Sequence, residues 1–343
     1  MNSLRKLWGA LILLAVFHGL ILFAGFFAPY GFAMQNREMA FAPPTRLHFA
    51  DAQGKSHLRP FVYGLKDDAA NSGGYVADAT QTYSLRFFVK GSPYKIAGLF
   101  ESDVHLFGVQ GDGKLFLMGT DGYGRDQLSR FLYGGQISLL AGLLAAALSV
   151  ALGVLVGALA GFYGGWIDDL LMRGSEIFLA LPWLYLLFAV RAALPLHIAE
   201  WQVFLLLVAV MGLIGWARPA RLIRGAVLSA KERKFVIAAR GFGASDAHLL
   251  CKHVLPQTYG IVLTQIALLI PQYVLAEVTL SFLGLGVGEP MASWGTLLAS
   301  LQQYYILSSY WWMFLPALLL IPVFLGYYLT ADALQERLKS VSL

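Results

Sequence analysis

The chain has 343 residues, of which 58% are hydrophobic and only 13% carry a charge. A soluble domain carries roughly a quarter of charged residues, so this composition excludes an ordinary soluble enzyme and indicates a membrane protein. The single cysteine, Cys251, excludes an internal disulfide framework and a metal site built from several cysteines. The formal net charge of +5 is unevenly distributed, and its distribution predicts which segments lie in the cytoplasm.

An apolar stretch near the N-terminus predicts the first transmembrane helix. It runs from about residue 8 to residue 28 and follows Arg5 and Lys6. A cleaved signal peptide has an apolar region of only about 7 to 15 residues, so we interpret residues 1–29 as a retained membrane anchor. Basic residues beside a span stay in the cytoplasm, which predicts a cytoplasmic N-terminus.

The segment 30–118 is more polar than its flanks and predicts an extracytoplasmic insert. It holds nine basic and eight acidic residues and is nearly neutral. Apolar and polar side chains alternate over residues 83–89, which is the period of a half-buried strand. Glycine and proline at 91–93 predict a turn, and residues 110–114 predict a hairpin. We therefore expect a small β-rich insert between the first two spans.

Five further apolar stretches predict five more spans. They lie at about 137–163, 175–194, 201–217, 259–283 and 310–329. About 20 apolar residues cross a bilayer, so each stretch is close to the required length. The stretch at 175–194 contains Glu176, Pro182 and Arg191, and we expect it to form a kinked helix, because neighbouring helices can satisfy the carbonyl that proline frees.

The charge between the fourth and fifth spans supports this topology. Residues 216–256 hold eight basic and two acidic residues, and short basic loops stay in the cytoplasm. We therefore expect a cytoplasmic loop at 217–256 and a cytoplasmic tail at 336–343. Six spans then leave both termini in the cytoplasm.

Glycines recur at four-residue spacing in the second predicted span. The spacing puts Gly153, Gly157 and Gly161 on one helix face, where another helix can approach closely. Glycine is also frequent in membrane helices in general. The sequence therefore leaves open whether this face has a specific partner.

The segment 231–256 has the pattern of a helix, a break and a second helix. The residues behind this pattern are the helix-favouring run 235–240, the glycines Gly241 and Gly243, which permit a left-handed stop, and the cap candidates Ser245 and Asp246. We expect Pro256 to end the second helix at the mouth of the fifth span. Such a hairpin suits docking onto another protein, but a loop held inside by its charge, or a patch for lipid headgroups, has the same residues.

This hairpin resembles the EAA loop of ABC-importer permeases. That pattern is E-A-A, three residues, G, nine residues and I-x-L-P, and it aligns with Ala238, Ala239, Gly243, Leu255 and Pro256. Ile237 replaces the glutamate, and His253 replaces the isoleucine. The ending His-Val-Leu-Pro is itself similar to the dipeptide and oligopeptide branch of the family.

Other segments are similar to the same branch. They are 119–126, Ser129 with Arg130, Tyr133 with Gly134, 161–168, Glu277 with 280–286, and 293–295. Together they span about 119–335, in the order that the branch has them. On these motifs the chain is identified as a member of the family, although the segment 30–118 is longer than is usual for it.

The resemblance implies an all-α polytopic membrane protein with the type I ABC importer permease fold. Six transmembrane helices are expected, with the β-rich insert between the first two. Residues 119–335 would form the permease core, with five of the spans and the cytoplasmic coupling loop 217–256. The implied function is the permease subunit of an ATP-driven importer of peptides or similar small solutes in the inner (plasma) membrane, forming half of the translocation pathway.

The resemblance also implies the partners and the coupling residues. The partners are a second permease subunit, two ATPase subunits, an extracytoplasmic substrate-binding protein and membrane lipid, with no nucleic acid. ATPase coupling is implied for Ala238, Ala239, Arg240, Gly243, Ala244, Ser245, Asp246, Leu255 and Pro256. ATP and magnesium would belong to the ATPase subunits, so we expect this chain to bind no cofactor or metal and to be no enzyme. It has no GxxxxGK[ST] phosphate loop, since Gly113 and Lys114 lack the required neighbours.

Three charged residues invite a functional interpretation. Glu277 lies in the fifth predicted span, where a carboxylate is costly unless it faces a cavity or a partner. It is either a structural hydrogen-bonding group or part of a gate. Arg125 and Asp126 precede the second span, and we expect them to form an ion pair and a helix cap rather than to contact a solute.

Two other classes of protein remain as alternatives. A membrane-anchored enzyme would need an active site in the insert, where Asp67, Asp68, His57 and His105 are candidates without the spacing of a known motif. A secondary transporter would usually have paired broken helices and ionisable groups at the middle of the membrane.

Overall fold

The computed structural model of the chain describes residues 2–68, 74–96, 98–192 and 199–341. The chain forms two compact units. The first contains Met1–Leu14, Leu139–Leu280 and Pro322–Leu343, and the second contains Ala15–Ser138 and Ser281–Ile321. The elements of the first unit are helical, and the second unit includes a β-sheet.

Helices account for most of the described chain. They are α1 (Asn2–Leu22), α2 (Ala24–Phe27), α3 (Gln127–Tyr163), α4 (Gly165–Ala180), α5 (Trp183–Ala192), α6 (Glu200–Gly215), α7 (Ala217–Lys231), α8 (Lys234–Gly241), α9 (Asp246–His248), α10 (Tyr259–Phe282), α11 (Trp294–Ala299), α12 (Tyr304–Ser309) and α13 (Leu315–Val341). The strands are β1 (His48–Ala50), β2 (Ser56–Asp67), β3 (Tyr75–Ile96) and β4 (Phe100–Val109).

Four helical stretches of the described residues are long and apolar enough to cross a membrane. They are Leu4–Leu22, Gln127–Tyr163, Asp246–Phe282 and Trp311–Arg337. A fifth span results if α6 and α7, which meet at a bend of 40°, are counted as one. The count of six therefore stays a prediction.

The predicted span at 175–194 is broken rather than kinked. Its described part falls on α4, of 16 residues, and α5, of 10 residues, with the break at Leu181 and Pro182. Leu181 has an extended backbone, with ψ 131°, because the residue before a proline is driven out of the helical region. Residues 193 and 194 lie outside the described part of the chain.

The glycine face of α3 contacts α7 in the first unit. A Cβ atom added at Gly161 would lie 2.8 Å from the carbonyl oxygen of Arg224, and one at Gly157 would collide with the carbonyl oxygen of Ala220. Gly153 faces the same helix. The two backbones can approach this closely only because these positions lack side chains. The partner of the glycine face is therefore a helix of the same chain.

Trp294 organises the packing of the second unit. Its side chain is fully buried, stacks on Phe131 at a ring distance of 5.7 Å, and donates its indole N–H to the Phe131 carbonyl oxygen at 3.0 Å. Its backbone N–H donates to the hydroxyl of Ser138 at 3.1 Å. A buried tryptophan with its polar atom satisfied contributes a large apolar contact at no unpaired polar cost.

The sheet has four antiparallel strands in the order β1-β2-β3-β4. The long strand β3 pairs with β2 from Tyr75 to Ser84 and with β4 from Leu85 to Ile96. Val62, Leu85 and Leu115 are buried together beside it. The sheet lies within the segment 30–118.

Two local predictions in this segment are wrong, namely the turn at 91–93 and the hairpin at 110–114. Residues 91–93 do not end a strand, because β3 continues through them with only a shift of register between Lys90 and Tyr94. Gly91 lies against the ring of His105, where a side chain would not fit, so this glycine serves a close approach rather than a turn. Residues 110–114 do not join two strands either: β4 ends at Val109, and Leu115 enters the core instead.

We expect Gly157→Leu to destabilise the protein, because the introduced leucine side chain would push α7 away from α3. Overpacking costs about 1–3 kcal/mol, so the thermal midpoint of the detergent-purified protein should fall when measured by fluorescence-detected size-exclusion chromatography. Gly225→Leu is the matched control, since nothing lies within 4 Å of a Cβ at that position of α7. Equal midpoints for the two variants would contradict the close contact.

Candidate functional site

The hairpin at 231–256 consists of α8, a glycine turn and a second helical segment. Gly243 has φ +85°, which a residue with a side chain adopts only with strain. The hydroxyl of Ser245 accepts a hydrogen bond from the backbone N–H of His248 at 3.4 Å and caps α9. Gly241, by contrast, is the last residue of α8 and has no positive φ.

The second helical segment does not end at Pro256, contrary to the sequence prediction. Helical backbone continues from α9 through a π-helical turn, Leu249–Val254, and a 3-10 turn, Leu255–Thr258, into α10. Proline lacks the N–H that an α-helical ladder would require. A wider π turn precedes Pro256, and Pro256 itself lies at the start of the 3-10 turn. Neither position requires the missing N–H to continue an α-helical ladder.

The inner face of the hairpin packs against the helices of the first unit. Val236, Leu249 and Val254 are buried in one cluster with Ile223 and Val227 of α7. Ala239, Ala244 and Leu250 are partly buried against the same cluster. Apolar burial of this kind packs the hairpin closely against α7.

The outer face of the hairpin is exposed and carries apolar side chains. Phe242 at the tip is 92% exposed, and Phe235 and Ile237 are also exposed. The coupling residues predicted from the sequence divide between the faces. Ala238, Arg240, Gly243, Ser245 and Asp246 are exposed, whereas Ala239, Ala244, Leu255 and Pro256 are partly buried. Phe242 was not predicted, and its apolar character between two glycines in a basic loop is the signal that could have found it.

Polar contacts hold α7 and the first residue of the hairpin against α4 and α3. Arg224 donates two hydrogen bonds to Asp168 of α4, each at 2.5 Å, which is the bidentate geometry of a strong pair. The hydrogen bond from Arg224 lowers the pKa of Asp168. Lys231 donates to the carbonyl oxygen of Gly161 in the last turn of α3 at 3.0 Å, where an orphan carbonyl needs a donor.

A network of four charges lies in the second unit. Arg125 donates to Asp121 at 2.7 Å and to Glu289 at 2.7 Å, and Arg130 donates to the other oxygen of Glu289 at 2.8 Å. Asp126 accepts from the backbone N–H of Ser129 at 2.7 Å and caps α3. The predicted cap is therefore present, but the predicted ion pair is wrong: Arg125 pairs with Asp121 and Glu289, not with Asp126.

Burial and hydrogen bonding act in opposite directions on the carboxyl groups of Glu289 and of the neighbouring Asp126. Burial works to raise the pKa of Glu289, but the hydrogen bond from Arg125 and the charges of Arg130 and Arg125 outweigh it, so the pKa is lowered. Burial raises the pKa of Asp126 to about 7 against the hydrogen bonds from Ser129. Glu289 and Asp121 are thus the carboxylates that face the two arginines, and Glu289 accepts a hydrogen bond from each of them.

The remaining candidates do not form a catalytic arrangement. His105 is fully buried, and its ring nitrogens contact the carbonyl oxygens of Ala28 at 2.6 Å and Ser92 at 3.0 Å. His57 contacts Asp51 at 3.0 Å at an exposed site. Glu277 is fully buried. Within the described ranges, no group of three or more His, Cys, Asp and Glu residues could hold a metal ion.

Comparison with known proteins identifies relatives of this chain. The family model described as "Binding-protein-dependent transport system inner membrane component" matches residues 153–340. The chain is 36% identical over 221 residues to the dipeptide transport system permease protein DppC of Bacillus subtilis, which covers 64% of this chain and 67% of that protein. It is 38% identical over 220 residues to the oligopeptide transport system permease protein OppC of Escherichia coli K12, covering 64% and 70%.

Solved structures of transporters are also similar. The structure titled "Inward facing conformations of the MetNI methionine ABC transporter: CY5 SeMet soak crystal form" matches with a TM-score of 0.47 and 16% identity. The match covers 62% of this chain and 96% of that chain.

We expect Glu289→Gln to destabilise the protein, because it removes a negative charge and leaves Asp121, at 3.8 Å, as the one anionic partner of Arg130 among the described residues. The Arg130 side chain is 2% exposed, and a buried charge that loses its partner costs about 1–3 kcal/mol. The thermal midpoint in detergent should fall. Glu101→Gln is the control, since it removes a carboxylate from an exposed pair with Lys95 and should have no measurable effect. An equal midpoint for the two variants would contradict the network.

Proposed function

This chain belongs to the family of binding-protein-dependent transport system inner membrane components, and from that premise we propose that its importer carries peptides. It is the transmembrane permease subunit of an ABC importer and not an enzyme; ATP hydrolysis belongs to partner ATPases. The alternatives of a membrane-anchored enzyme and of a secondary transporter are not favoured. The names of the relatives, which are dipeptide and oligopeptide permeases, support peptides as the solute.

The complete importer that we propose contains four further components. A second permease subunit shares the translocation pathway, two ATPase subunits bind ATP and magnesium, and an extracytoplasmic binding protein delivers the solute. This chain itself binds no cofactor. Membrane lipid surrounds the spans.

The single observation that carries the coupling proposal is the exposed tip of the 231–256 hairpin. Phe242 is 92% exposed beside the charged pair Arg240 and Asp246. An apolar ring at the tip of a polar loop has no folding partner within the described chain, so we assign it to the ATPase subunit. The buried inner face joins the hairpin to α7, so that a displacement of the tip moves that helix too.

The proposed topology puts the hairpin and both termini in the cytoplasm. Six spans satisfy this arrangement if the broken segment at 175–194 crosses the membrane, supported by neighbouring helices as broken transporter helices are. The sheet within 30–118 then lies outside. There we assign it to contact with the binding protein or to covering the outer mouth.

Glu277 is proposed to have a structural role. It is fully buried in α10, and a buried carboxylate inside a span survives only when it is hydrogen-bonded or paired. A structural group suits this burial better than a gate, which must meet the solute.

The transport function is tested by uptake into proteoliposomes that hold the complete importer. Wild-type importer should accumulate a radiolabelled dipeptide only when ATP and the binding protein are supplied on their respective sides. Phe242→Asp should abolish co-purification of the ATPase subunits and stop uptake, because a carboxylate replaces the docking ring. Its own folding should be unaffected, since the side chain contacts little.

The control for this variant is Trp166→Asp, which alters an exposed aromatic residue of α4 outside the hairpin. We expect it to leave ATPase association unchanged. Normal association and uptake in Phe242→Asp would overturn the assignment of the hairpin, while ATP-independent uptake by the wild type would overturn the function.

Topology is tested by labelling engineered cysteines with an impermeant reagent on intact spheroplasts, in a Cys251→Ser background. Gln53→Cys, at an exposed turn of the insert, should be labelled, and Ser229→Cys, exposed on α7, should be labelled only after lysis. The reverse pattern would invert the topology. Ser72, another position in the insert, lies outside the described residues.

A further inference from the structure

Two interrupted helical segments and one helix with an internal proline meet at one cavity in the first unit. The cavity has a volume of about 220 Å³. Leu181 lines it at the break between α4 and α5, and Gly215 lines it at the bend between α6 and α7. Gln272 lines it on α10, next to the internal proline Pro271. Inside a membrane, interrupted backbone is stable only where it is buried in protein or lines a cavity that contains water. The convergence therefore indicates a hydrated space, not a packing defect.

The residues that line the cavity are closely packed. Gly215 allows the hydroxyl of Tyr273 to lie directly against the bend, where any side chain would collide with it. Tyr273 donates to the hydroxyl of Ser149 at 2.9 Å. This bond satisfies the phenol and holds its ring as a fixed wall, so the polar groups free to meet a ligand are found elsewhere.

Arg218 is the first of those groups. Helix α7 carries three arginines at three-residue spacing, and two of them have acidic partners: Arg221 pairs with Glu176 at 3.8 Å, and Arg224 pairs with Asp168. Arg218 has no ion pair or hydrogen bond among the described residues, and of the three only Arg218 lines the cavity. An arginine supplies a fork of donors that matches a carboxylate.

Gln272 is the second. It lies near the middle of α10, its side chain is exposed, and it makes no hydrogen bond to any described residue. A polar side chain at the middle of a span is costly where it faces lipid and is tolerated where it faces a cavity. Its amide adds a second hydrogen-bond donor to the same cavity.

We propose that this cavity binds the carboxylate end of a peptide on its way through the permease, with Arg218 and Gln272 as donors. The inference rests on the proposed function of peptide import. The remaining lining is largely apolar and includes Phe178, Leu181 and Met211, which accommodates an apolar side chain of the last residue. Sites for whole ligands have volumes of about 300–1,000 Å³, so this smaller cavity takes only the end of the peptide.

The test is direct binding to the membrane complex of the two permease subunits and the two ATPase subunits in phosphatidylcholine nanodiscs, with the binding protein left out because it would bind the peptide itself. Scintillation proximity measures the affinity for radiolabelled Ala-Leu and for its C-terminal amide, without ATP. Wild type should bind Ala-Leu about tenfold tighter than the amide, because only the free carboxylate forms charge-assisted hydrogen bonds. Arg218→Gln should abolish that difference, Arg218→Lys should retain part of it, and Gln272→Leu should reduce it.

The matched control is Arg221→Gln, which removes the same charge from the same helix outside the cavity. Its discrimination between Ala-Leu and the amide should equal that of the wild type. Equal losses in Arg218→Gln and Arg221→Gln would mean that general positive charge attracts the peptide, and this result would overturn the site. So would a wild type that binds the two probes equally.

A lipid phosphate is the other source of an anion for Arg218. Mass spectrometry of the lipid retained from phosphatidylglycerol nanodiscs distinguishes a lipid phosphate from a peptide carboxylate. If Arg218→Gln lost bound phosphatidylglycerol but bound Ala-Leu as the wild type does, the peptide site would be overturned. Uptake separates this proposal from the function on which it rests. If ATP-dependent uptake of Ala-Leu occurs in wild type and Arg218→Gln alike, with equal binding, only the site is wrong; if wild type shows no uptake, the function itself fails.

Discussion

The contact between the glycine face of α3 and helix α7 is the constraint on which the first unit depends. Because Gly157 and Gly161 carry no side chains, the two backbones meet directly. Helix α7 is thereby fixed along most of its length, and it carries three features at different heights: Arg218 at the cavity, Arg224 bound to α4, and the apolar residues under the hairpin. A shift of α7 would alter all three together, since packed helices move as rigid bodies.

The break, the bend and the internal proline of the membrane helices also have a common physical explanation. A regular span satisfies all its backbone groups and has no use for a proline or a bend. This chain breaks one segment at Pro182, bends another by 40° between α6 and α7, and carries Pro271 inside α10. The cost of each interruption is reduced where polar side chains and room for water are within reach, and the cavity beside Arg218 has polar side chains in its lining. The interruptions and the cavity therefore depend on each other.

Local features of this fold could be predicted from the sequence, and distant ones could not. The left-handed turn at Gly243 and the cap at Asp126 depend on neighbours within four residues, so residue type and spacing are sufficient. The partner of Arg125 is Glu289, 164 residues away, and no spacing rule reaches that far. Pro256 misled the prediction for a different reason: a π turn before it let the helix continue, and such turns have no simple sequence signature.

The two most informative side chains are exposed in surroundings that do not match their polarity. Exposed leucines in the spans need no explanation, because lipid covers them, and exposed charges in the basic loop need none, because water does. Phe242 is an apolar ring exposed at the tip of that loop, and Gln272 is an amide exposed in the middle of an apolar helix. Each is costly to leave as it stands. Neither stabilises the fold by contact within the described chain, and our two proposals give each a partner: an ATPase surface at the tip and a polar ligand in the cavity.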